Sequence, residues 1–271
     1  MQYAVDSRDV EKGSLFFALK GERSDGHCFL EEVKKRGAAG AVISDSYEGD
    51  LHHLDTQRVK NVLFELQEKA RKKLEKSSAL RIGITGSVGK TTTSNFLKTL
   101  LSEKFSVTAT IKSFNGQIGL PLTILNGDLN VDVLVLELGM NLPGEMARLV
   151  EIAPLDYALV TMISESHVGN FEGLDEVAKQ KGMVFTSKRL KKGFVSRQAS
   201  AYFPKQEVIK EIGDSPFQAD HLSACFFAAA HVARALGLSD DEITRGAKKL
   251  KTSPRRFERC EKKGVVFIND S

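Results

Sequence analysis

Tryptophan is absent from the 271-residue sequence, and cysteine is scarce. The three cysteines, Cys28, Cys225 and Cys260, are odd in number and widely spaced, so the sequence predicts neither a zinc site nor a disulfide framework. We expect reduced cysteines in a cytoplasmic protein. No stretch approaches the roughly 18 uninterrupted apolar residues of a membrane-spanning helix, and residues 1–10 lack an apolar signal segment. We therefore expect no membrane insertion.

A strong excess of one charge is also missing, since the net charge is only +4. The basic runs at 69–76 and 245–263 are interrupted by acidic or apolar residues, and no basic stripe alternates with aromatic residues. We therefore expect no nucleic-acid partner. The composition is typical of a folded protein, and the length suggests about two domains. We also expect a monomer.

Two sequence patterns divide the chain. Before residue 78, short apolar stretches alternate with Gly and Asp turns, and they predict strands at 15–19 and 41–43. A charged helical segment, Glu65 to Lys76, then leads to Ser77-Ser78, where we place a domain boundary.

After the boundary, strands and helices alternate. Near-continuous apolar strands at 131–138 and 157–163, with helices predicted at 90–104 and 174–185, indicate a mainly parallel sheet covered on both faces. The predicted fold class is therefore α/β. In such sheets ligands bind at the carboxyl ends of the strands.

A candidate phosphate-binding loop joins the first strand of this sheet to a helix. Residues 82–93 read Ile-Gly-Ile-Thr-Gly-Ser-Val-Gly-Lys-Thr-Thr-Thr. Gly86 and Gly89 would let backbone N–H groups approach a polyphosphate at the helix N-terminus, Lys90 would reach the outer phosphates, and Thr91 would ligate Mg²⁺. The strict Walker pattern has a glycine where this chain has Ile84, so the loop is a variant. The alternative is a glycine-rich turn with no ligand, which the strand-to-helix setting disfavours.

Three further polar residues lie at or near strand ends. Glu137 ends an apolar strand and could hold Mg²⁺, and His167 follows the next strand, although either residue type taken alone is more often structural. Lys181 falls on the apolar stripe of its predicted helix. An inward lysine would be a desolvated, nucleophilic amine. From periodicity alone we favour the alternative, a lysine that extends along the apolar face to reach water.

Together these motifs resemble the Mur ligase family over most of residues 4–185. Residues 85–91, Thr-Gly-Ser-Val-Gly-Lys-Thr, are similar to its nucleotide motif. Asp-Ser-Arg at 6–8, followed by residues 15–27, resembles its amino-terminal UDP-sugar-binding domain.

Two segments, 114–123 and 137–146, resemble the branch of the family that adds the terminal dipeptide. The resemblance implies an ATP- and Mg²⁺-dependent ligase in peptidoglycan precursor synthesis. Such a ligase joins D-alanyl-D-alanine to UDP-N-acetylmuramoyl-tripeptide through an acyl phosphate. It also implies a UDP-sugar-binding domain at 1–78, an ATP-binding domain at 79–258, and the start of a missing carboxyl-terminal domain at 259–271.

Site roles also follow from the resemblance. The catalytic and metal-binding candidates are Lys90, Thr91, Glu137, His167 and a carbamylated Lys181. The nucleotide-binding candidates are Gly86, Ser87, Val88, Gly89, Lys90, Thr91, Thr92, Arg256 and Asp270. The substrate-binding candidates are Ser7, Glu22, Arg23, Ser24 and Asn115.

The sequence departs from the family between 185 and 224, where Asp220-His221-Leu222-Ser223-Ala224 stands in place of the motif near the adenine. We expect a fragment that binds nucleotide with weak or absent ligation. Three alternatives stay open: a tripeptide-forming or folylpolyglutamate ligase, a non-catalytic nucleotide-binding remnant, and a P-loop kinase.

Overall fold

The computed structural model describes residues 1–22, 24–110, 114–165 and 170–251, together with the backbone of two further strands. The α/β prediction is confirmed, because two parallel sheets are each packed against helices. Within the described ranges, none of the helices combines the length and apolar character needed to cross a bilayer.

The amino-terminal sheet has four parallel strands in the order β1-β2-β3-β4. Helix α2 starts where the Asn61 side chain accepts a hydrogen bond from the Phe64 N–H, and it buries Leu66, Ala70 and Leu74 at helical spacing. The elements are β1 (Tyr3–Ala4), β2 (Leu15–Phe17), α1 (Leu30–Lys35), β3 (Gly40–Ser44), β4 (Thr56–Val59) and α2 (Val62–Glu75).

The second sheet has six parallel strands in the order β10-β9-β8-β5-β7-β6. Because β5 lies between β7 and β8, the loops that follow these three strands meet at one edge. The elements are β5 (Leu80–Thr85), α3 (Lys90–Leu101), β6 (Val107–Ala109), α4 (Gly119–Asn126), β7 (Val133–Glu137), α5 (Glu145–Ile152), β8 (Tyr157–Val160), α6 (Leu174–Gly182), β9 (Lys192–Val195), β10 (Glu207–Val208), α7 (Asp220–Ala235) and α8 (Asp240–Ala247), followed by the antiparallel pair β11 (Glu258–Lys262) and β12 (Val265–Asn269).

Strand β7 illustrates how both faces of the six-stranded sheet are covered. All five of its residues are buried. Leu134 and Leu136 pack into a core that includes α2, α4 and α5, whereas Val133 and Val135 face a core built with α3 and α7. This alternation explains why the strand reads as a continuous apolar run.

Some elements differ from the sequence predictions. The strand predicted at 15–19 ends at Phe17, because the Leu19 N–H turns back to the Phe17 carbonyl. The helix predicted at 174–185 ends at Gly182 and continues as a 3-10 turn over Met183–Thr186. Strand β4 was not predicted, since its Thr-Gln-Arg-Val sequence lacks an apolar run.

Helix α2 joins the two sheets. The Lys73 ammonium donates to the carbonyls of Ile124, Leu125 and Gly127 at 3.1, 2.8 and 2.9 Å, which satisfies acceptors at the end of α4. The predicted boundary at residue 78 lies between α2 and β5, and the division into domains stays a prediction.

Candidate functional site

The loop between β5 and α3 has a backbone that depends on glycine at two positions. Gly86 has φ +148°, and a Cβ there would overlap the Thr161 hydroxyl and lie 2.9 Å from the Met162 nitrogen. Gly89 has φ +85° and immediately precedes α3. The first N–H groups of α3 therefore lie at the end of the loop, where a helix N-terminus favours negative charge.

The segment after β8 supports this loop. The Thr161 hydroxyl donates to the Val88 carbonyl at 2.6 Å, and the Ser87 N–H donates to the Met162 carbonyl at 2.7 Å. The Ser87 hydroxyl donates to the Ser164 carbonyl at 3.0 Å. These bonds hold the loop against the segment after β8. Sequence reasoning missed the supporting residues, whose only signal is their place after a strand in the same sheet.

Two lysines contact the loop from different elements. The Lys90 ammonium donates to the carbonyls of Gly86 and Ser87 at 2.8 and 3.3 Å. The Lys181 ammonium donates to the Gly86 carbonyl at 3.2 Å. The side chains therefore concentrate positive charge at the place where a polyphosphate would lie.

Lys181 is buried, with 2% of its surface exposed. The interpretation that it extends to water is therefore wrong. Desolvation, with a smaller contribution from the nearby Lys90 charge, lowers the pKa of Lys181 to about 8. The neutral form of this amine is therefore more accessible than that of an exposed lysine.

Glu137 lies beside the loop because β5 and β7 are neighbours, with Ile84 opposite Glu137 in the register. The carboxylate is buried, and its two oxygens have different partners. The Thr91 hydroxyl donates to Oε2 at 2.9 Å, and the Asn115 amide donates to Oε1 at 2.6 Å. Thr91, Glu137 and Asn115 therefore form one polar cluster at the carboxyl edge of the sheet.

The donor set of this cluster fits Mg²⁺. A carboxylate and a hydroxyl oxygen are hard ligands, and Mg²⁺ typically takes one or two carboxylates and completes its shell with water and phosphate oxygens. Among the described residues, no group of three or more His, Cys, Asp or Glu side chains is positioned to hold a metal.

The predicted substrate residues are distributed around the amino-terminal sheet. The Ser7 hydroxyl is buried and donates to Glu32 Oε2 at 2.9 Å, whereas Glu22 and Ser24 are exposed after β2. A cleft of about 660 Å³ separates this part of the chain from α4, with Arg8 on one wall and Asn115 on the other. The predicted residues outside the described part of the chain are Arg23, His167, Arg256 and Asp270.

Two family models match the chain. The model described as the Mur ligase middle domain matches residues 84–214, and the model described as the Mur ligase family, catalytic domain, matches residues 2–74. The UDP-N-acetylmuramoyl-tripeptide–D-alanyl-D-alanine ligase of Rickettsia prowazekii is 39% identical over 181 residues, covering 66% of this chain and 40% of that protein. The Bacillus subtilis protein of the same name is 39% identical over 176 residues, covering 64% of this chain and 38% of that protein. The chain therefore spans about two fifths of the length of these relatives.

Solved structures show the same fold. MurF from Acinetobacter baumannii superposes with a TM-score of 0.87 and 25% identity, covering 99% of this chain and 67% of that one. MurF ligase from Thermotoga maritima in complex with ADP gives a TM-score of 0.82 and 28% identity, covering 100% of this chain and 70% of that one.

Proposed function

Because the chain belongs to the Mur ligase family, we propose that it carries the nucleotide- and UDP-sugar-binding parts of a dipeptide-adding ligase. The reaction joins D-alanyl-D-alanine to UDP-N-acetylmuramoyl-tripeptide at the expense of ATP, as the relatives' names imply. One observation carries the proposal: the Thr91 hydroxyl, at the start of α3, lies 2.9 Å from Glu137 Oε2, at the end of β7. This contact supports the proposal, because it brings the proposed phosphate loop next to the acid proposed to bind the metal.

The proposed reaction has two steps. A carboxylate oxygen of the tripeptide bonds to the γ-phosphorus of ATP, the bond from that phosphorus to the β–γ bridging oxygen breaks, and ADP leaves. The amine nitrogen of D-alanyl-D-alanine then bonds to the acyl carbon, inorganic phosphate leaves, and the amine gives up a proton. The protein mainly positions the reactants and offsets negative charge.

The residues of the loop would bind the triphosphate. Backbone N–H groups from Gly86 to Thr92 would donate to phosphate oxygens, and Lys90 would leave its two carbonyl partners to pair with the outer phosphates. Thr91 and Glu137 would hold Mg²⁺, which supplies charge neutralisation on the transferring phosphoryl group when bound.

Lys181 would add a further ligand by modification. Its neutral amine would react with CO₂ to give a carbamate and a released proton, and so place a carboxylate beside the loop. The burial of Lys181 and its lowered pKa support this role, since only the neutral amine is nucleophilic. His167, Arg256 and Asp270 keep their proposed roles as a metal ligand and two nucleotide contacts.

The sugar-peptide substrate would occupy the cleft between the two sheets. Ser7, Glu22, Arg23 and Ser24 would bind the UDP group, and Asn115, which lines the cleft and contacts Glu137, would meet the peptide near the metal. The proposed setting is the cytoplasm, where a monomer would bind both substrates.

Titration calorimetry with ATP and Mg²⁺ tests the nucleotide site. We expect Lys90→Ala to weaken binding by at least about tenfold, because a charge-assisted contact to phosphate is worth about 1.5–3 kcal/mol. Lys98→Ala removes an exposed lysine from the same helix and is the matched control, with unchanged affinity. Equal affinity of Lys90→Ala and the parent protein would overturn the proposed phosphate site.

Thermal shift measurements test the second substrate. UDP-N-acetylmuramoyl-tripeptide should raise the melting temperature, whereas the UDP-sugar precursor one residue shorter and a folate should not. A larger shift with the shorter precursor or with folate would favour the tripeptide-forming or the folylpolyglutamate branch instead.

A further inference from the structure

Helix α2 carries a buried amide side chain, Gln67, of which only 4% is exposed. Burying an amide is unfavourable unless its donors and acceptors are paired. The Gln67 Nε2 group donates to the Gln117 Oε1 at 2.7 Å and to the Gln117 carbonyl at 3.2 Å, and its Oε1 accepts from the Arg148 Nε at 2.9 Å. The side chain is therefore fully paired, and every partner lies outside α2.

The two segments that Gln67 contacts lie before and after β7 in the sequence, and β7 ends at Glu137. They also contact each other, because the Gln117 Nε2 group donates to the carbonyl of Glu145, the first residue of α5, at 3.0 Å. The Glu145 carboxylate in turn accepts from the N–H groups of residues 141 and 142 at 2.6 and 3.1 Å. One hydrogen-bonded network thus holds both the segment at 115–117 and the loop that follows β7.

Asn115 connects this network to the end of β7 by two hydrogen bonds. Its carbonyl accepts from the Gly139 N–H at 2.7 Å, and its amide donates to the Glu137 Oε1 at 2.6 Å. A Cβ at Gly139 would lie only 2.6 Å from the Asn115 Oδ1, so the close approach of the two segments requires glycine there. A displacement of Asn115 would therefore move or release the Glu137 carboxylate.

Resting on the proposed Mg²⁺ site, we infer that Gln67 is a positioning residue for Glu137. Through Gln117 and Asn115 it holds the carboxylate in the orientation that binds Mg²⁺ beside the phosphate loop. Changing a group that orients a metal-binding side chain typically weakens metal binding by about 10–100-fold. Because α2 also packs against β2 and β3, the amino-terminal sheet thereby influences Mg²⁺ binding on the other sheet.

Gln67→Met tests the inference, since methionine keeps the length of the side chain and a similar helix propensity but removes its hydrogen bonds to Gln117 and Arg148. Calorimetry with ATP in Mg²⁺ and in EDTA gives the Mg²⁺ gain, defined as the ratio of the two affinities. We expect the gain to fall by about threefold to tenfold in Gln67→Met, because Gln67 acts through two intermediate residues, while the affinity in EDTA is unchanged. An unchanged Mg²⁺ gain would overturn the inference.

Lys73→Met is the matched control for a general weakening of the junction between the two sheets. Lys73 lies on the same helix, but it donates to carbonyls at the carboxyl end of α4 and not to the segment at 115–117. We expect Lys73→Met to lose stability in urea denaturation and to keep the Mg²⁺ gain of the parent protein. An equal loss of the gain in Lys73→Met and Gln67→Met would contradict a specific role of Gln67.

A double-mutant cycle tests the connection through Asn115. Asn115→Ala removes the last hydrogen bond to Glu137, so Gln67→Met should cause no further loss of the Mg²⁺ gain in that background. Additive losses would mean that Gln67 acts by another route, and they would overturn the inference.

Nuclear magnetic resonance of the ¹⁵N-labelled protein separates this inference from the proposed function, because it needs no nucleotide. The side-chain amide resonance of Asn115 should shift in Gln67→Met and stay in place in Lys73→Met. An unshifted resonance in Gln67→Met would overturn the inference whatever the nucleotide affinities are. Equal ATP affinity of the parent protein in Mg²⁺ and in EDTA would instead overturn the proposed metal site, and a shifted resonance would then still show that Gln67 positions Asn115.

Discussion

The Lys181 ammonium lies 3.2 Å from the carbonyl oxygen of Gly86, which connects α6 to the loop after β5. The contact is internal, because Lys181 is almost completely buried. One carbonyl dipole offsets only part of the cost of removing an ammonium from water. The lysine is therefore held in a position that its charged form does not favour.

Replacing Lys181 by methionine should stabilise the folded protein at pH 7 relative to the parent protein with unmodified Lys181. The folded-state pKa of about 8 lies below the ordinary value of 10.5. Below pH 8, folding therefore transfers a protonated amine from water into the protein interior, which is unfavourable. We expect Lys181→Met to raise the free energy of unfolding by on the order of 2 kcal/mol at pH 7.

The stabilisation caused by Lys181→Met should decrease as the pH rises. Between pH 8 and 10.5 the unfolded chain binds the additional proton, so the stability of the parent protein rises with pH and the advantage of Lys181→Met shrinks. Urea denaturation at pH 7 and pH 9.5 measures this difference. Lys179→Met, at an exposed position of α6, should show neither effect. An advantage that stays constant across this pH range would exclude desolvation of Lys181 as its cause.

Replacing Gly86 by alanine should damage both stability and nucleotide binding. The added Cβ would overlap the Thr161 hydroxyl at a backbone angle that L-residues rarely adopt. We expect a loss of roughly 2–3 kcal/mol in the free energy of unfolding. Chemical denaturation gives the stability, and calorimetry with ATP gives the affinity, which we expect to fall below detection.

Gly13→Ala separates backbone strain from steric overlap. Gly13 has φ +84°, and a Cβ there has no neighbour within 4 Å. We expect this variant to lose only about 1 kcal/mol and to bind ATP normally. If Gly86→Ala were no more destabilised than Gly13→Ala, the close packing of the loop against Thr161 would not be important for stability.

Replacing Glu137 by glutamine should remove the effect of Mg²⁺ on nucleotide binding while preserving the fold. The amide keeps the size of the side chain and can still accept from Thr91, and the Asn115 amide can turn over so that its oxygen accepts from the new NH₂ group. The change in unfolding free energy should therefore stay within about 1.5 kcal/mol. Calorimetry with ATP in Mg²⁺ and in EDTA should give different affinities for the parent protein and equal ones for the variant. Glu151→Gln, an exposed acid on α5, should behave as the parent does. Full Mg²⁺ dependence in Glu137→Gln would remove Glu137 from the metal site.

The sequence predicted the six-stranded sheet better than the site built on it. Strands β5, β7 and β8 are buried on both faces and therefore read as apolar runs, and the glycine-rich loop between β5 and α3 is recognisable from local residue order alone. Strand β4 carries no such pattern, since its residues are polar and half exposed.

The contacts across the site depend on distant residues and could not be predicted. Nothing in the sequence near Asn115 indicates that its amide meets Glu137, 22 residues later, because that contact follows from the order of strands in the sheet. Periodicity placed Lys181 on the inner face of its helix, but it could not decide whether the ammonium reaches water. That outcome depends on the loop that covers the helix, which only the assembled fold supplies.

Replacing Asn126 should weaken the junction between the two sheets. Asn126, the last residue of α4, accepts from the Tyr3 N–H at 2.8 Å and donates to the Tyr3 carbonyl at 2.9 Å, so its amide pairs with the edge strand β1 as another strand would. Because both bonds are partly exposed to solvent, we expect Asn126→Ala to cost only about 1 kcal/mol in the free energy of unfolding.

The larger effect should be on the cleft, since Tyr3 and Asn126 both line it. The thermal shift caused by UDP-N-acetylmuramoyl-tripeptide should decrease, while ATP affinity stays unchanged because the phosphate loop lies on the other sheet. Asn130→Ala, an exposed asparagine four residues away, is the control. A parallel loss of ATP affinity in Asn126→Ala would mean that the junction supports the whole molecule and has no specific connection with the cleft.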